Sequence, residues 1–340
     1  MAFTAQDVKA LREKTGVGMM ECKKALVEAD GDMDKAVDFL RERGLAAAAK
    51  KATRIAAEGV VLPYYDAEAK KGVVVEVNSE TDFVAKNEKF MSFVEGVAKT
   101  ILATNPADVE ALKEEKFDGT DRTVTETLND LVLSIGENMK VRRFERMDGI
   151  VSTYIHGGGS VGVMVGFDVA DESKAATAEF DAMGKNVAMQ IAAMNPIAID
   201  EDGVSEEVKQ KEIEVAIEKT KAEQVQKAVE AALKKANINP AHVDSEDHME
   251  SNMAKGWITA EDVAKAKEII ATVSAEKAAH LPEQMIQNIA KGRLAKFLKE
   301  VCLLNQEDIM DAKKTVREVL AAADPELKIV DFKRFTLKAE

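Results

Sequence analysis

The residue types that do most enzyme chemistry are scarce in this chain and lie in no catalytic spacing. Its 340 residues include four histidines and two cysteines, and Cys22 and Cys302 lack metal-ligand spacing. The stretch 244–250 (DSEDHME) mixes acids with a histidine, but a polar loop between two helices explains it without a metal. No lysine-containing phosphate loop and no nucleophile elbow is found. The sequence therefore predicts that the protein is not an enzyme and needs no metal or cofactor.

One loop is nevertheless unusual for a purely structural protein. The segment 79–86 (SETDFVAK) places an aromatic ring beside a carboxylate where the chain leaves a predicted strand. In one interpretation Thr81 or Asp82 caps a helix, and Phe83 and Val84 pack inward. In the other, Phe83 projects as a wedge and Asp82 is its polar companion. Spacing alone leaves both interpretations open.

A second unusual loop follows a later predicted strand. His156 precedes three consecutive glycines, 157–159, and glycine supplies the positive φ angles that a tight hairpin turn requires. His156 is therefore expected at an exposed hairpin tip. It is either a solvent-facing turn residue or a contact residue.

Composition limits the class of protein and of partner. The net charge is −14, from 47 basic and 61 acidic side chains, with a mean hydropathy of −0.20. A field of this sign repels phosphate backbones and anionic membranes, and no apolar run approaches the length of a membrane span. The start of the chain lacks the pattern of an export signal. We therefore expect a soluble, reduced, cytoplasmic protein that contacts neither nucleic acid nor membrane directly.

The elements that must position these loops begin with three predicted helices. Residues 1–53 have the pattern of a small helical domain and its linker, in which Thr4 caps the first helix and Asp32 the third. Gly44 has the position of a helix stop signal. The alanine- and lysine-rich stretch 46–51 then predicts a mostly helical linker.

Beyond residue 53 the chain repeats itself, as one copy over 54–147 and a second over 148–340. The recurring landmarks are 90 residues apart, namely Gly59 and Gly149, Gly72 and Gly162, and Asn105 and Asn195. Each copy has the pattern strand, hairpin, strand, helices and a closing strand. The sequence predicts an α+β fold with a duplicated core of antiparallel sheets that carry helices on one face.

A long helical insertion, 205–305, interrupts the second copy. Ser205 starts a charged helix, Pro240 breaks it, and Pro282 opens a further helix with an apolar stripe. Helices that run out and back with facing stripes predict an antiparallel helical hairpin, or coiled coil.

Four motifs carry a resemblance to a known family. The stretch 11–26 (LREKTGVGMMECKKAL) closely resembles the N-terminal signature of the elongation factor Ts family, and 81–85 (TDFVA) is similar to its second signature. The stretches 134–138 (SIGEN) and 154–157 (YIHG) fit the same family in order. The resemblance covers about 4–200 and 281–335 of this sequence.

The resemblance implies a guanine nucleotide exchange factor of translation elongation. Such a factor binds the GDP form of the GTPase elongation factor Tu and promotes GDP release by disturbing its Mg²⁺ and phosphate site. In the family a ubiquitin-associated-like (UBA-like) N-terminal bundle docks on the GTPase, and an Asp-Phe pair intrudes beside the phosphate site. The contact residues that the resemblance implies here are Thr81, Asp82, Phe83, Val84, Met19, Met20, Lys23, Lys51, Ile135, Gly136, Glu137, Asn138, His156 and Lys185.

Two features depart from the family pattern. The insertion carries extra sequence over 221–280, and Asn186 stands where some members have histidine. An alternative function is a binding module without exchange activity, such as an adaptor or chaperone. The TDFVA loop argues for exchange, because an adaptor has no need of a projecting Asp-Phe pair.

Overall fold

The computed structural model describes residues 3–337, which form helices and small antiparallel sheets. The helices are α1 (Ala5–Thr15), α2 (Met19–Glu28), α3 (Met33–Lys51), α4 (Asp82–Ala85), α5 (Glu88–Thr104), α6 (Val109–Glu114), α7 (Val124–Ile135), α8 (Glu172–Ala175), α9 (Ala178–Met194), α10 (Glu206–Lys235), α11 (Glu246–Ala254), α12 (Ala260–Ala279), α13 (Glu283–Val301) and α14 (Val316–Ala323). The strands are β1 (Glu58–Asp66), β2 (Lys71–Ser79), β3 (Met139–Asp148), β4 (Ile150–His156), β5 (Val161–Asp168) and β6 (Lys328–Thr336). The predicted α+β class is confirmed.

The chain divides into two compact units. The first combines the residues up to Ile199 with those from Glu307 onward, and the second is Asp200–Gln306. The first unit contains all six strands found among residues 3–337, and the second is helical. No helix in the described part of the chain has both the length and the apolar character that a membrane span requires.

Helices α1, α2 and α3 share a small core at the start of the first unit. The hydroxyl of Thr4 caps α1 and the carboxylate of Asp32 caps α3, as predicted. Gly44 does not stop α3, which continues to Lys51. A Cβ atom at Gly44 would lie 3.4 Å from the carbonyl oxygen of Asn129 in α7. Gly44 therefore lies inside α3 where that helix packs on α7. The prediction of a stop was wrong because a glycine within a helix–helix contact cannot be told by spacing from a glycine that ends a helix.

Two three-stranded sheets follow, with strand orders β1-β2-β3 and β4-β5-β6. Their backbones correspond at the 90-residue offset: the pairing of β2 is irregular after Glu76, and that of β5 after Gly166. Helices α5 and α9 begin and end 90 residues apart, and each ends at a left-handed asparagine, Asn105 or Asn195. Asparagine tolerates that conformation better than most residues, so the same signal terminates both helices.

The central strand β2 is buried on both of its faces. Val73, Val75 and Val77 share a core with Phe90 and other residues of α5 and α7. Val74 instead belongs to a second core that contains residues of β4, β5 and β6. The period-two alternation of a strand therefore places one set of side chains under the helices and the other set between the two sheets.

Glycine makes the close approach of the sheets possible. A Cβ atom at Gly162 would lie 2.5 Å from Cγ1 of Val61, and one at Gly72 would lie 3.1 Å from Sδ of Met164. A methyl group at Gly162 would therefore force its neighbours to shift, and one at Gly72 would make an unusually tight contact.

A fully buried carboxylate lies on the sheet-facing side of β2. Glu76 accepts hydrogen bonds from Asn78 Nδ2 at 3.0 Å, Arg142 Nη1 at 2.8 Å and Arg143 Nε at 2.7 Å. Burial by itself would raise the pKa of Glu76, but hydrogen bonds from the amide and the two guanidinium groups outweigh it and hold the pKa below its ordinary value. Glu76 is therefore ionised and fully paired in the folded protein.

Arg143 extends this ion pair to the other sheet. Its Nη2 donates to the carbonyl oxygen of Thr336 at 3.2 Å, and its guanidinium carbon lies 4.1 Å from the ring centroid of Phe335. Both residues belong to the end of β6. One arginine thus links the central strand of the first sheet to the edge strand of the second by charge, hydrogen bond and ring contact.

The second unit is more elaborate than the predicted hairpin. Glu223 of α10 pairs with Arg293 of α13 at 2.6 Å, whereas Leu233 near the end of α10 shares a core with Ala266 of α12. The segment 244–250 is largely helix α11, capped by Ser245, so the predicted polar loop was wrong. Its polarity reflects the exposed face of a short helix.

We expect Glu76→Gln to lower the free energy of unfolding by about 3 kcal/mol, because it leaves two arginines beside a group that cannot carry charge. The pKa of Glu76 is lowered by folding, so its contribution is complete above its unfolded pKa and is lost as the pH falls through the folded value. Below about pH 5 the wild type should therefore lose stability more steeply than Glu76→Gln. Urea unfolding at several pH values measures both effects. The same substitution at the exposed Glu145 of β3, Glu145→Gln, is the control. Equal free energies of unfolding for Glu76→Gln and Glu145→Gln would contradict the assignment of Glu76 as an ionised, paired group.

Candidate partner-binding site

The Asp-Phe loop, residues 79–86, leaves the carboxyl end of β2 and contains the single turn α4. Phe83 is 80% exposed, whereas Val84 is 6% exposed and belongs to the core under α5. The interpretation in which both side chains pack inward is therefore wrong for Phe83 and correct for Val84. Large aromatic side chains are seldom left this exposed, and such positions are common at protein interfaces.

Hydrogen bonds from the loop to itself hold its ends. The hydroxyl of Ser79 donates to the carbonyl oxygen of Thr81 at 2.9 Å, and Lys86 Nζ lies 2.9 Å from Asp82 Oδ2. The hydrogen bond from Lys86, reinforced by its charge, lowers the pKa of Asp82. Asp82 is therefore an exposed, ionised carboxylate beside the exposed ring.

The turn after α7 lies against this loop. Gly136 ends α7 with a φ of 92°, a left-handed conformation that favours glycine. Glu137 Oε1 accepts from the hydroxyl of Thr81 at 2.8 Å, and its Oε2 accepts from the backbone N–H of Thr81 at 3.1 Å. Glu80 Oε1 accepts from the backbone N–H of Asn138 at 2.6 Å. Two sequence-predicted segments are thus brought together.

The end of α3 joins the same group of residues. Asn138 Nδ2 donates to the carbonyl oxygen of Arg54 at 2.8 Å, and Lys51 Nζ lies 3.5 Å from the carbonyl oxygen of Val132. Burial lowers the pKa of Lys51, and the charge of Arg54 acts in the same direction. The nearby carboxylates of Glu80 and Glu137 oppose that shift.

Ile55 was missed by the sequence analysis. It is 85% exposed and follows Arg54, whose carbonyl oxygen is tied to Asn138. An isolated isoleucine after a helical linker has no motif or periodicity that marks it. It becomes a candidate contact residue because its neighbour Arg54 also pairs with Glu80 of the Asp-Phe loop, at 3.5 Å.

The predicted contacts on α2 form a separate exposed patch. Met19 is 48% and Met20 64% exposed, and Lys23 is also exposed. The inward residues of α2 are Cys22, Ala25 and Leu26, so the two methionines are not required to fill the bundle core. Flexible, polarisable methionine side chains suit a protein-binding surface.

His156 lies at the exposed tip of the β4–β5 hairpin. Its Nδ1 is 3.2 Å from the hydroxyl oxygen of Tyr154, and all three following glycines have positive φ. The carbonyl oxygen of Gly159 accepts from the N–H of Val61 at 2.8 Å, so the turn is fixed to β1. In the described part of the chain, no hydrogen bond joins His156 to the Asp-Phe loop.

Lys185 is an exposed residue of α9. It lines a cavity of about 640 Å³ together with Tyr65, Ser152 and Phe180, while its neighbour Asn186 is half-buried. Residues of both copies line this cavity, and its lining includes none of residues 79–86. Lys185 is therefore not part of the group formed around the Asp-Phe loop.

The second copy has no aromatic residue at the corresponding loop. Ser173 occupies the position 90 residues after Phe83, in the short helix α8. Ion pairs between Lys70 and Glu172 and between Lys174 and Asp324, each 2.6 Å, hold this loop to the surrounding surface. The duplicated scaffold therefore presents an aromatic side chain from one copy.

Comparison with known proteins supports the motif assignment. A family model described as "Elongation factor TS" matches residues 80–240 and 219–339. A protein named elongation factor Ts from Bacteroides fragilis is 60% identical over 342 residues, with all of both chains covered. Its namesake from Bacteroides thetaiotaomicron is also 60% identical over the full length. The Clostridium perfringens protein of that name is 40% identical, covering 98% of this chain and 92% of its own.

We expect Phe83→Ala to change the free energy of unfolding by less than about 0.5 kcal/mol, because the ring is exposed. Val84→Ala should cost about 1.5–2 kcal/mol, because it removes buried methyl groups from the core. Urea unfolding of the two variants beside the wild type checks this contrast between neighbours. A larger loss for Phe83→Ala than for Val84→Ala would contradict the placement of the two side chains.

Proposed function

Because this chain belongs to the elongation factor Ts family, we propose that it is a guanine nucleotide exchange factor that binds GDP-bound elongation factor Tu and promotes GDP release. The observation that carries the proposal is the exposed ring of Phe83 on a loop fixed to a doubly buried strand. The factor itself makes and breaks no covalent bond. Its work is done by binding energy.

The physical basis is reciprocal coupling. If the exchange factor lowers the affinity of the GTPase for GDP, then GDP lowers the affinity of the GTPase for the exchange factor by the same ratio. Tight nucleotide sites depend on Mg²⁺ and on backbone donors held around the phosphates. A ring inserted between the elements that carry those ligands needs to move them by only about 1 Å to cost about 1.5–3 kcal/mol for each charge-assisted contact.

We assign the insertion to Phe83 and the support of the loop to Asp82. The ionised Asp82 is paired with Lys86 at 2.9 Å, which stiffens the turn that carries the ring. An acidic group brought near a Mg²⁺–phosphate site also competes electrostatically with the phosphate for the cation. Both effects favour release of the metal and then of GDP.

Affinity, in this proposal, comes from the other exposed groups. The three N-terminal helices form the UBA-like bundle, and the exposed Met19, Met20 and Lys23 of α2 contact the GTPase. Lys51, Ile135, His156 and Lys185 supply further contacts, as the resemblance implies. The helical second unit carries the family's coiled-coil element in an extended form.

We expect Phe83→Ala to slow factor-stimulated GDP release by about thirtyfold, the equivalent of a hot-spot loss of about 2 kcal/mol. Release of a fluorescent GDP analogue from elongation factor Tu measures the rate. Ser173→Ala, the same truncation at the corresponding position of the second copy, should leave the rate unchanged. If elongation factor Tu releases GDP as fast with Phe83→Ala as with the wild-type factor, the ring of Phe83 is not the inserted group. Binding without any stimulated release, even by the wild type, would instead indicate the adaptor function.

We expect the double variant Met19→Ala, Met20→Ala to raise the Kd for elongation factor Tu about tenfold, because it removes two exposed apolar contacts. At saturating factor the rate of GDP release should equal that of the wild type, because the Asp-Phe loop is intact. Titration calorimetry gives the affinity, and the release assay at high factor concentration gives the maximal rate. A lowered maximal rate with unchanged affinity would contradict this division of roles.

A further inference from the structure

Thr81 occupies the capping position of α4 but does not cap it. Its backbone is extended, with φ −128° and ψ 155°, as expected for such a residue, yet its side chain accepts no hydrogen bond from the following turn. Among the described residues, other threonines do cap their helices in capping boxes, namely Thr4, Thr123, Thr259 and Thr315. The hydroxyl of Thr81 is instead donated to Glu137. The side chain of Thr81 thus departs from the usual capping pattern, and such departures are expected where a residue serves function rather than local stability.

Glu137 binds Thr81 with both of its oxygens. The hydroxyl lies 2.8 Å from Oε1, and the backbone N–H lies 3.1 Å from Oε2. Two hydrogen bonds from one residue to one carboxylate fix both the rotamer and the peptide orientation of Thr81, and an ionised acceptor strengthens each of them. The carboxylate therefore holds Thr81 by a tertiary contact across 56 residues of sequence.

The neighbouring residues make a second contact of the same kind. Glu80 accepts from the backbone N–H of Asn138 at 2.6 Å, and Asn138 in turn donates to the carbonyl oxygen of Arg54 at 2.8 Å. The two residues before the Asp-Phe pair are thus held by the two residues after Gly136. Val84, on the other side of Phe83 in the chain, is buried in the core. Phe83 therefore lies between two residues that are held in place, Thr81 and Val84.

The second copy lacks this arrangement. Asp171, which corresponds to Thr81, caps α8 by its own side chain, which accepts from the N–H of Ser173 at 3.0 Å. Asn78 pairs with Lys140 in the first sheet, and its counterpart Asp168 pairs with Lys328 in the second. Glu137 lies three residues before Lys140, and Pro325 lies three residues before Lys328. Pro325 is therefore the counterpart of Glu137 in the second copy.

A proline has no carboxylate to offer, so the copy without the aromatic ring also lacks an acceptor at the position of Glu137, and its neighbour Asp324 pairs with the side chain of Lys174 instead. We propose that Glu137 is a positioning residue of the exchange reaction, which holds Thr81 so that Phe83 is preorganised for insertion. The inference rests on the proposed exchange function and refines the role of Glu137, which the family resemblance implies only as a contact with the GTPase. A loop already held in its working conformation loses less freedom when it binds. Freeing the loop from Glu137 lowers the fraction of molecules whose loop is in the working conformation. The apparent rate of GDP release falls in proportion to that fraction.

The test combines a double-mutant cycle with a measurement on the free protein. Glu137→Ala should lower the rate of GDP release at limiting factor about tenfold, and Thr81→Val should lower it less, because its backbone N–H remains. The double variant should match Glu137→Ala, because Thr81 then has no acceptor to lose. Glu145→Ala, an exposed carboxylate of β3, should retain the wild-type rate.

Hydrogen exchange of the free factor supplies the second readout. Amides of residues 81–86 should exchange faster in Glu137→Ala than in the wild type without any partner present, while amides of α5 should not change. The inference would be overturned if the rate losses of the two single variants multiply in the double variant, or if loop exchange in free Glu137→Ala equals that of the wild type. Either result would show that Glu137 acts by direct contact with the GTPase. Glu137→Gln, which keeps one acceptor oxygen, should fall between the wild type and Glu137→Ala, so the inference can be tested even if Glu137→Ala is poorly folded.

Phe83→Ala separates this inference from the function on which it rests. If Phe83→Ala is slow but Glu137→Ala equals the wild type, the positioning role alone is overturned. If Phe83→Ala equals the wild type, the proposed exchange mechanism fails, and the positioning role fails with it.

Discussion

The burial of β2 on both faces is the constraint on which the rest of the first unit depends. Valines on one side of the strand pack under helices, and Val74 and Glu76 on the other lie between the sheets. A strand held in this way cannot slide by one residue without exchanging its two faces. The loop that leaves its end therefore starts from a fixed register. The fixed register allows a short turn to present Phe83 outward and Val84 inward.

Duplication explains how such a scaffold acquired one specialised loop. Both copies share strand pairing, the position of the irregularity in the central strand, and helices that end at a left-handed asparagine. These shared features concern the backbone and its packing. The differences concern side chains at or near the surface, such as Phe83 against Ser173 and Glu137 against Pro325. One copy keeps the projecting ring, and the other closes the same loop with ion pairs.

Charged groups act in two different ways in this molecule. Glu76 is buried, accepts three hydrogen bonds and joins the sheets through Arg143, so its role is to stabilise the fold. Glu137 is half-buried at the surface and holds one residue of a loop, and the role we propose for it is to restrict the motion of that loop. A paired carboxylate stabilises the fold where it is fully buried, as at Glu76. At Glu137, near the surface, the same pairing supports the preorganisation that we propose.

Local sequence patterns determined the helix caps at Thr4 and Asp32, the strand alternation, the repeat and the family motifs, because each depends on residues close together in the chain. The α+β class and the identity of the Asp-Phe loop followed from them. Spacing alone did not decide whether Phe83 packs inward, whether Gly44 ends a helix, or whether 244–250 is a loop. Those outcomes depend on what lies opposite: an already filled core beneath Val84, α7 beside Gly44, and the small core that α11 shares with its neighbours. The contact of Glu137 with Thr81 joins positions 56 residues apart, and no periodicity encodes a distance that only the closed tertiary structure creates.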